Sequence, residues 1–487
     1  MSNRILNTEM LLSHGNIEMK KDAIEIMEQG LYYADPYNST RDLLELDGNI
    51  LKVGNTFYEA ENDPTSGVDT LDLTQFDRIY VVGAGKGVQR IAKAIEDVLG
   101  DWLTGGAVIS KHGDPLILKR ITNTYGDHPT PDQGCIEGAK KIMELTKDIT
   151  ERDLVFTIIT NGGSSLLTLP YEGISLEDIV EITRIIQIEL GLHTLFLNYI
   201  RHHIDQLKAG RMTRLFSPAK MYHLIGADAN RTNNLPGKQD YYYFMHNNDF
   251  LHNLPNGSVF ADAQKVLEDN NIVDRCPKSI RDFIYEAKPE YETVKYEEYK
   301  KTDSRFFGLT PDNMWLKAAS DKARELGYEP YVLLRSLTVD AQAAAQVMMG
   351  IATNISDRNE PFSPPVALIT GGEMLVAVNN ATGVGGTNQE FALTAAHMIG
   401  GSERIVTIST DTDGTDGPGG IDYEGAPECL GGGIVDGYTS QEAADLGIDI
   451  PAHLRNHDTS IPLWRLGCGV EIDHGVSVLD IGVTLIR

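Results

Sequence analysis

A short run of β-branched and aromatic residues that ends in a glycine turn and passes at once into an amphipathic helix recurs along the chain. No other feature restricts the fold as much. In FDRIYVVGAGKGVQRIAKAIEDVLG the spacing predicts a strand over Ile79 to Val82, a glycine turn, and a helix from about Val88 to Leu99. The alternation continues through GGAVIS (strand), GCIEGAKKIMELTKDI (helix), DLVFTIITNGGSSLLTLP (strand into glycine loop), LEDIVEITRIIQIELGL (helix) and AKMYHLIGAD (strand). Strands separated by single helices predict an α/β fold with a Rossmann-like, doubly wound parallel sheet and helices on both faces. Ligands of such sheets bind at the loops beyond the carboxyl ends of the strands.

An N-terminal helix is expected over Ile17 to about Tyr33, with breakers at Gly30 and Pro36. The polar, Asn- and Tyr-rich stretch from about Asn230 to Asn256 interrupts the rhythm, and its run Tyr241, Tyr242, Tyr243, Phe244 favours an ordered excursion such as a lid or substrate loop. KPEYETVKYEEYKKTD, from Lys288 to Asp303, is charged and lacks an apolar face. The domain boundary is therefore placed there, giving an N-terminal Rossmann-like domain over 1–305 and a second α/β domain over 306–487. Two such units are expected to form an interdomain cleft, a preferred location for ligands.

Of the 487 residues, 42 are Lys or Arg and 70 are Asp or Glu, a formal charge of 42 − 70 = −28. So acidic a field disfavours nucleic acid as a partner. Cys135, Cys276, Cys429 and Cys468 lie far apart and form neither a CxxC metal pair nor a disulfide scaffold. The N-terminus has no uninterrupted apolar core, and no run of about 18 apolar residues occurs, so a cytoplasmic protein without a membrane partner is expected.

Chemistry-bearing residues collect at the predicted strand ends. Gly83, Gly85 and Lys86 form a turn that opens a helix, where backbone N–H groups and a lysine suit an anion. Gly162, Gly163, Ser164 and Ser165 form a second loop of the same kind; without a G-x-S-x-G elbow it does not point to hydrolase chemistry. Arg201, His202, His203, Lys208 and Arg211 follow on or beside one helix, and adjacent histidines cannot both reach a zinc ion from one face. In the C-terminal half, Asn388 and Glu390 open a helix, and Asp411, Asp413 and Asp416 crowd the end of a strand, as Mg²⁺ or hydroxyl partners or as an Asx-bonded turn. A nicotinamide dehydrogenase fails two checks: the first turn lacks the third glycine, and GGAVIS ends in Ser110-Lys111-His112 with no acidic residue for a ribose.

Taken in order, VVGAGKG (81–87), HPTPD (128–132), NGGSSLL (161–167), R-x-H (201–203), K-A-G-R (208–211), GGE (371–373), GGTNQE (385–390), TDGTDGP (412–418) and VDG (435–437) resemble the two-domain glycerate 2-kinases. These combine an N-terminal α/β domain with a domain named for its rich-in-leucine fragment. The resemblance spans roughly residue 20 to 487. It implies transfer of the ATP γ-phosphoryl group, with Mg²⁺, to a hydroxyl of D-glycerate or a related small anionic hydroxy acid, in an interdomain cleft. It further implies Lys86, Arg201 and Asp413 as catalytic residues. Gly83, Gly85, Gly162, Gly163, Ser164, Asn388 and Glu390 become the cofactor contacts, and Asp413 and Asp416 the metal ligands. A homodimer is compatible with it.

The chain is a diverged member by this reading. Thr387 stands where the family usually has an arginine, and threonine supplies neither the fixed charge nor the bidentate geometry. The family's Ser-Gly-Gly-Gly-Ser becomes Thr160-Asn161-Gly162-Gly163-Ser164, its Lys-His becomes His202-His203, and the segments at Gly226-Ala227-Asp228 and His474 to Asp480 are altered. Two alternatives follow. One is isomerisation, epimerisation or elimination on a hydroxy acid, with His202 or His203 in acid–base roles and another divalent metal without nucleotide; the other is a non-catalytic metabolite-binding paralogue. A locally positive pocket formed by Lys86, Arg201, Lys208 and Arg211 is expected inside the acidic protein.

Overall fold

The computed structural model describes residues 4–226, 240–309, 312–378, 381–473 and 479–487. The chain divides into two compact units, one of residues 36–311 and one that joins residues 1–35 to residues 312–487. The first 35 residues thus leave the 1–305 domain expected from sequence. Helix α1 (Ile17–Ala34) carries them, burying Ile24, Met27 and Leu31 in one apolar cluster with Trp315, Ile369 and Val406. Full burial of each such side chain is worth about 1.5–3 kcal/mol, so the apolar stripe of α1 decides where it docks. Gly30 does not break the helix. A Cβ there would meet Ile481 Cδ1 at 3.1 Å and Ala319 Cβ at 3.8 Å, so glycine lets the helix approach its neighbours closely.

In the 36–311 unit, six parallel strands form one sheet: β1 (Arg78–Ala84), β2 (Gly105–Lys111), β3 (Thr122–Gly126), β4 (Asp153–Thr160), β5 (Lys220–Gly226) and β6 (Ser304–Gly308). Their order is β3-β2-β1-β4-β5-β6, the doubly wound arrangement. Helices α2 (Val88–Leu99), α3 (Gln133–Glu144), α4 (Thr194–Ile204) and α5 (Arg211–Phe216) belong to this unit. Strand β4 is buried along its whole length, as a central parallel strand covered on both faces must be. The edge strands β3 and β6 escape the sequence reading. Strand β6 straddles the expected 305/306 boundary, which moves to 311/312.

The other unit holds α6 (Asp312–Glu325), β7 (Glu329–Leu337), α7 (Ala341–Arg358), β8 (Val366–Gly372), α8 (Thr387–Met398), β9 (Ile405–Asp411), β10 (Gly432–Asp436), β11 (Gly469–Val470) and β12 (Asp480–Ile486). It is the expected second α/β unit, but its sheet is mixed, with the order β7-β8-β12-β9-β10-β11 and parallel pairing only between β7 and β8. The C-terminal strand β12 inserts antiparallel between β8 and β9, which sets Asp480 opposite both Gly372 and Asp411. Among the described residues, no helix is long and apolar enough to cross a membrane.

Candidate functional site

The strand order reverses between β1 and β4, and the carboxyl ends of these two strands carry the two glycine loops. Gly83 is buried within β1, and the turn that follows is a brace rather than an anion cradle. Gly85 N–H donates to Ile109 O (3.0 Å), Lys86 N–H to Asn161 O (2.8 Å) and Gly87 N–H to Thr160 Oγ1 (3.0 Å), so these amides are not left for a phosphate. Gly85 has φ +139°, and a Cβ on it would lie 2.0 Å from Thr160 Oγ1. What the turn offers a ligand is the exposed Lys86 side chain.

Gly162, left-handed at φ +81°, caps one helical turn (Gly163–Leu166) that presents Ser164. A Cβ at Gly162 would meet His128 Cδ2 at 3.1 Å and Lys86 Cγ at 3.2 Å, so His128 and Lys86 flank the same loop. Burial, and then the charges of Lys86, Lys111 and Arg201, hold the His128 imidazole down to about 4. It is a neutral ring facing three cations.

Arg201, in the last turn of α4, is 3% exposed. Its Nη2 donates to Thr183 Oγ1 (3.3 Å), its Nε has no partner, and among the described residues no carboxylate pairs with it within 4.0 Å. Burial lowers its pKa to about 10, opposed by the more distant Asp205. A desolvated guanidinium without a counter-charge is costly unless an anion completes it.

The other expected cations are spent internally, which corrects the pocket foreseen from sequence. Lys208 Nζ is 2.6 Å from Asp205 Oδ2 and 3.2 Å from Thr168 Oγ1. Arg211 is buried and donates to the carbonyls of His202, Lys208 and Tyr291. Neither histidine is open to substrate. His202 contacts Ser258 Oγ (3.2 Å) and Asp249 O (3.0 Å), while His203 contacts Tyr199 O (2.8 Å) and Glu292 Oε1 (3.0 Å). The alternative that used them as acid and base loses its groups.

Ser164 Oγ instead meets His252 Nε2 at 2.7 Å and accepts from Asn198 Nδ2 at 3.3 Å. His252 comes from the Asn-rich excursion, where helix Tyr241–Asn247 buries Tyr241 and Phe244 against Phe306. Residues 227–239, including Ala227 and Asp228, lie outside the described residues.

In the second unit, Asp416 accepts hydrogen bonds through both carboxylate oxygens at the N-terminus of α8. Its Oδ1 accepts from Asn388 N–H (3.0 Å), Asn388 Nδ2 (3.2 Å) and Thr387 Oγ1 (3.2 Å), and its Oδ2 from Gln389 N–H (2.8 Å). A Cβ on Gly386 would lie 2.1 Å from Asp416 O, so the two loops close only over glycine. Asn388 also donates to Asp480 Oδ1 (2.7 Å) and accepts from Ser409 Oγ (2.6 Å); buried Glu390 pairs with His457 and with Gln342 Nε2 (3.0 Å). Asn388, Glu390 and Asp416 therefore brace the N-terminus of α8, and Asp416 Oδ2, which accepts one hydrogen bond, keeps a lone pair.

Asp411 and Asp413 remain. Asp411 Oδ1 accepts from Asp413 N–H (2.9 Å), and Asp413 Oδ1 from Thr415 N–H (2.8 Å) and Oγ1 (2.7 Å), two successive Asx turns. Burial, followed by the charges of Asp413 and Asp480, pushes Asp411 well above the usual carboxylate range. Asp480 is pushed up to about 7 by burial, against its bonds from Asn388 and from Met374 N–H (2.8 Å). A cavity of about 10 Å³ lies against Asp480 between Thr370 and Ser409, room for about one water. His474 to Val478 lie outside the described residues.

Comparison with known proteins assigns a family to each half of the chain. Residues 22–233 match a family described as a domain of unknown function, DUF4147, and residues 366–476 match the MOFRL family. The chain is 28% identical to a glycerate 2-kinase of Pyrococcus horikoshii over 93% of each chain. It is 31% identical to a D-glycerate 2-kinase of Thermotoga maritima over 82% of this chain and 88% of that one. The chain belongs to the two-domain glycerate kinase family. A crystal structure of a Thermotoga maritima glycerate kinase superposes with a TM-score of 0.76 at 29% identity, covering 96% of this chain and 100% of that one. Where the glycerate kinase resemblance leads one to expect an arginine, Thr387 occupies the first position of α8 and donates to Asp416.

Proposed function

We propose that this chain is a phosphotransferase that moves the γ-phosphoryl group of ATP to a hydroxyl of D-glycerate or a related small sugar-derived hydroxy acid. The observation that carries the reading is the buried, unpaired guanidinium of Arg201 near Lys86 and His128, beyond the strand ends where the sheet order reverses. A hydroxy acid or a phosphate supplies the negative charge that Arg201 lacks. Exposed Lys86 suits the phosphoryl group in transfer, whose charge is stabilised by fixed cations rather than by covalent chemistry. Neutral His128 suits a hydrogen bond to the same anion, because a further positive charge beside Lys86, Lys111 and Arg201 is already disfavoured.

The second unit offers Mg²⁺ carboxylate oxygens whose mutual repulsion a divalent cation relieves, with burial and then the charges of Asp413 and Asp480 raising the pKa of Asp411, although among the described residues no three of its carboxylates bring ligand atoms within 4.8 Å of one another. Asp413 would hold it together with Asp411 or with Asp416, whose Oδ2 accepts a single hydrogen bond, from Gln389 N–H. When bound, the ion supplies neutralisation of phosphate charge. Asn388 orients Asp480 and Asp416, and Glu390 anchors α8 through His457 and Gln342.

The test is ADP formation from Mg·ATP across a panel of three- to six-carbon hydroxy acids, with wild type, Lys86→Ala and Thr387→Arg. The reading expects turnover with at least one acid and its loss in Lys86→Ala. No ADP with any acid from the folded protein defeats it. Appearance of kinase activity only in Thr387→Arg would show that the native chain had been diverted from phosphoryl transfer.

A further inference from the structure

Ser164 and His252 form a hydrogen-bonded pair that neither glycine-loop chemistry nor anion binding uses. The Asn198 amide sets its polarity. One hydrogen of Asn198 Nδ2 goes to the carbonyl of Asp249 (3.1 Å), which fixes the nitrogen side of the amide, and the other goes to Ser164 Oγ (3.3 Å). Ser164 Oγ is therefore already an acceptor. Its 2.7 Å approach to His252 Nε2 lies at the short end for N–H···O contacts and suits a hydroxyl that donates its proton to the ring. His252 is 1% exposed, and its carbonyl accepts from Gly210 N–H (2.9 Å), so the residue is held firmly in place. The edge of the His202 ring (centroids 5.7 Å apart), Lys208 and Arg201 face it, and with burial they keep the imidazole neutral. Ser164 Oγ keeps one further lone pair, and the residue is partly exposed, on the loop that Lys86 and His128 flank.

We infer that Ser164 is the proton acceptor for the substrate hydroxyl, with His252 positioned behind it to take the serine proton. The inference rests on the phosphotransfer reading above. As the substrate oxygen forms its bond to the γ-phosphorus and the bond to the ADP oxygen breaks, the electron pair of the broken bond leaves with ADP. The hydroxyl proton passes to Ser164 Oγ while the Ser164 proton passes to His252 Nε2, and after product leaves the imidazolium returns its proton to Ser164 Oγ, whose own proton goes to solvent at the partly exposed end of the pair. An anion seated on Arg201 offsets one of the charges that oppose protonation of His252, so the relay is strengthened when substrate is bound.

Two measurements test this on the full chain. Nitrogen-15 NMR of histidine-labelled protein is expected to show His252 Nε2 as an unprotonated, hydrogen-bonded nitrogen whose signal moves in Ser164→Ala. A protonated Nε2 overturns the relay. Kinetically, Ser164→Ala and His252→Gln are each expected to lower kcat about 10²- to 10⁴-fold with KM for ATP little changed, and the double variant to be no slower than the worse single one. An unchanged kcat in Ser164→Ala, or losses that multiply, overturns it, and Ser164→Ala keeps the question open to test if His252→Gln does not fold. Absence of ADP formation by wild type would instead defeat the phosphotransfer reading beneath it.

Discussion

Asp480 Oδ1 accepts a hydrogen bond from Asn388 Nδ2 at 2.7 Å, tying the last strand of the chain to the first turn of α8. The bond holds a carboxylate between Gly372 and Asp411 in the centre of a sheet. Even so, burial keeps Asp480 protonated up to about pH 7.

That shift has a definite sign. The unfolded chain releases the Asp480 proton near pH 4, whereas the native protein keeps it to about 7, so the native state binds more protons in between. The contribution of Asp480 to stability is therefore expected to fall as pH rises from about 4 to about 7 and then to level off, with Asp411 acting in the same direction, whereas the buried neutral histidines His128, His202, His223 and His252, whose pKa values burial lowers, add stability over the same range. Thermal melting in EDTA across this range checks it. Asp480→Asn removes the Asp480 part, so its melting temperature should gain on that of wild type as pH rises from about 4 to about 7.

Mg²⁺ should reverse part of that loss. Because the carboxylates must be ionised to hold a cation, added Mg²⁺ is expected to raise the melting temperature more at pH 8 than at pH 5. Asp413→Asn should abolish most of the difference, and Asp416→Asn should destabilise α8 whether or not the ion is present.

Two buried cations of one unit should respond oppositely to methionine. Lys208→Met strands Asp205 without its partner and is expected to cost about 3–5 kcal/mol in denaturant unfolding. Arg201→Met removes a buried charge that has a hydrogen bond to Thr183 Oγ1 but no carboxylate partner among the described residues, so stability should hold or rise. Its cost should appear in binding, as a loss of about 10- to 100-fold in affinity for phosphate or hydroxy acid by calorimetry.

Gly85→Ala tests the brace between β1 and β4. With φ at +139° and Thr160 Oγ1 2.0 Å from the new Cβ, the substitution combines backbone strain with overlap. A loss of about 1–3 kcal/mol or more is expected. Circular-dichroism melts of the variant check it.

Much of this architecture was legible in the sequence because burial and turn chemistry are local. The strand–turn–helix at Ile79 to Leu99 reads directly, and α2 begins and ends where the periodicity puts it. Strands β3 and β6 were not legible, since TNTYG and SRFFG are short edge segments without alternation. Strand β12 was missed because its place between β8 and β9 is settled by long-range pairing. Residue types at the site were readable, but their partners were not. Arg201 and Lys208 look alike in the sequence, and only Asp205, which pairs with one and not the other, separates them. Nothing in the Asn-rich excursion distinguishes His252 from His246, because its meeting with Ser164 spans 88 positions.

The account stands most directly on phosphoryl transfer at Arg201 and Lys86. The measurement is the appearance of label in an acid-stable phosphorylated product when γ-³²P-ATP, Mg²⁺ and D-glycerate are incubated with wild type, Lys86→Ala and Arg201→Met. The account predicts labelled phosphoglycerate from wild type and at most a small fraction of it from either variant, with all three proteins folded. Equal labelling by wild type and both variants would contradict it.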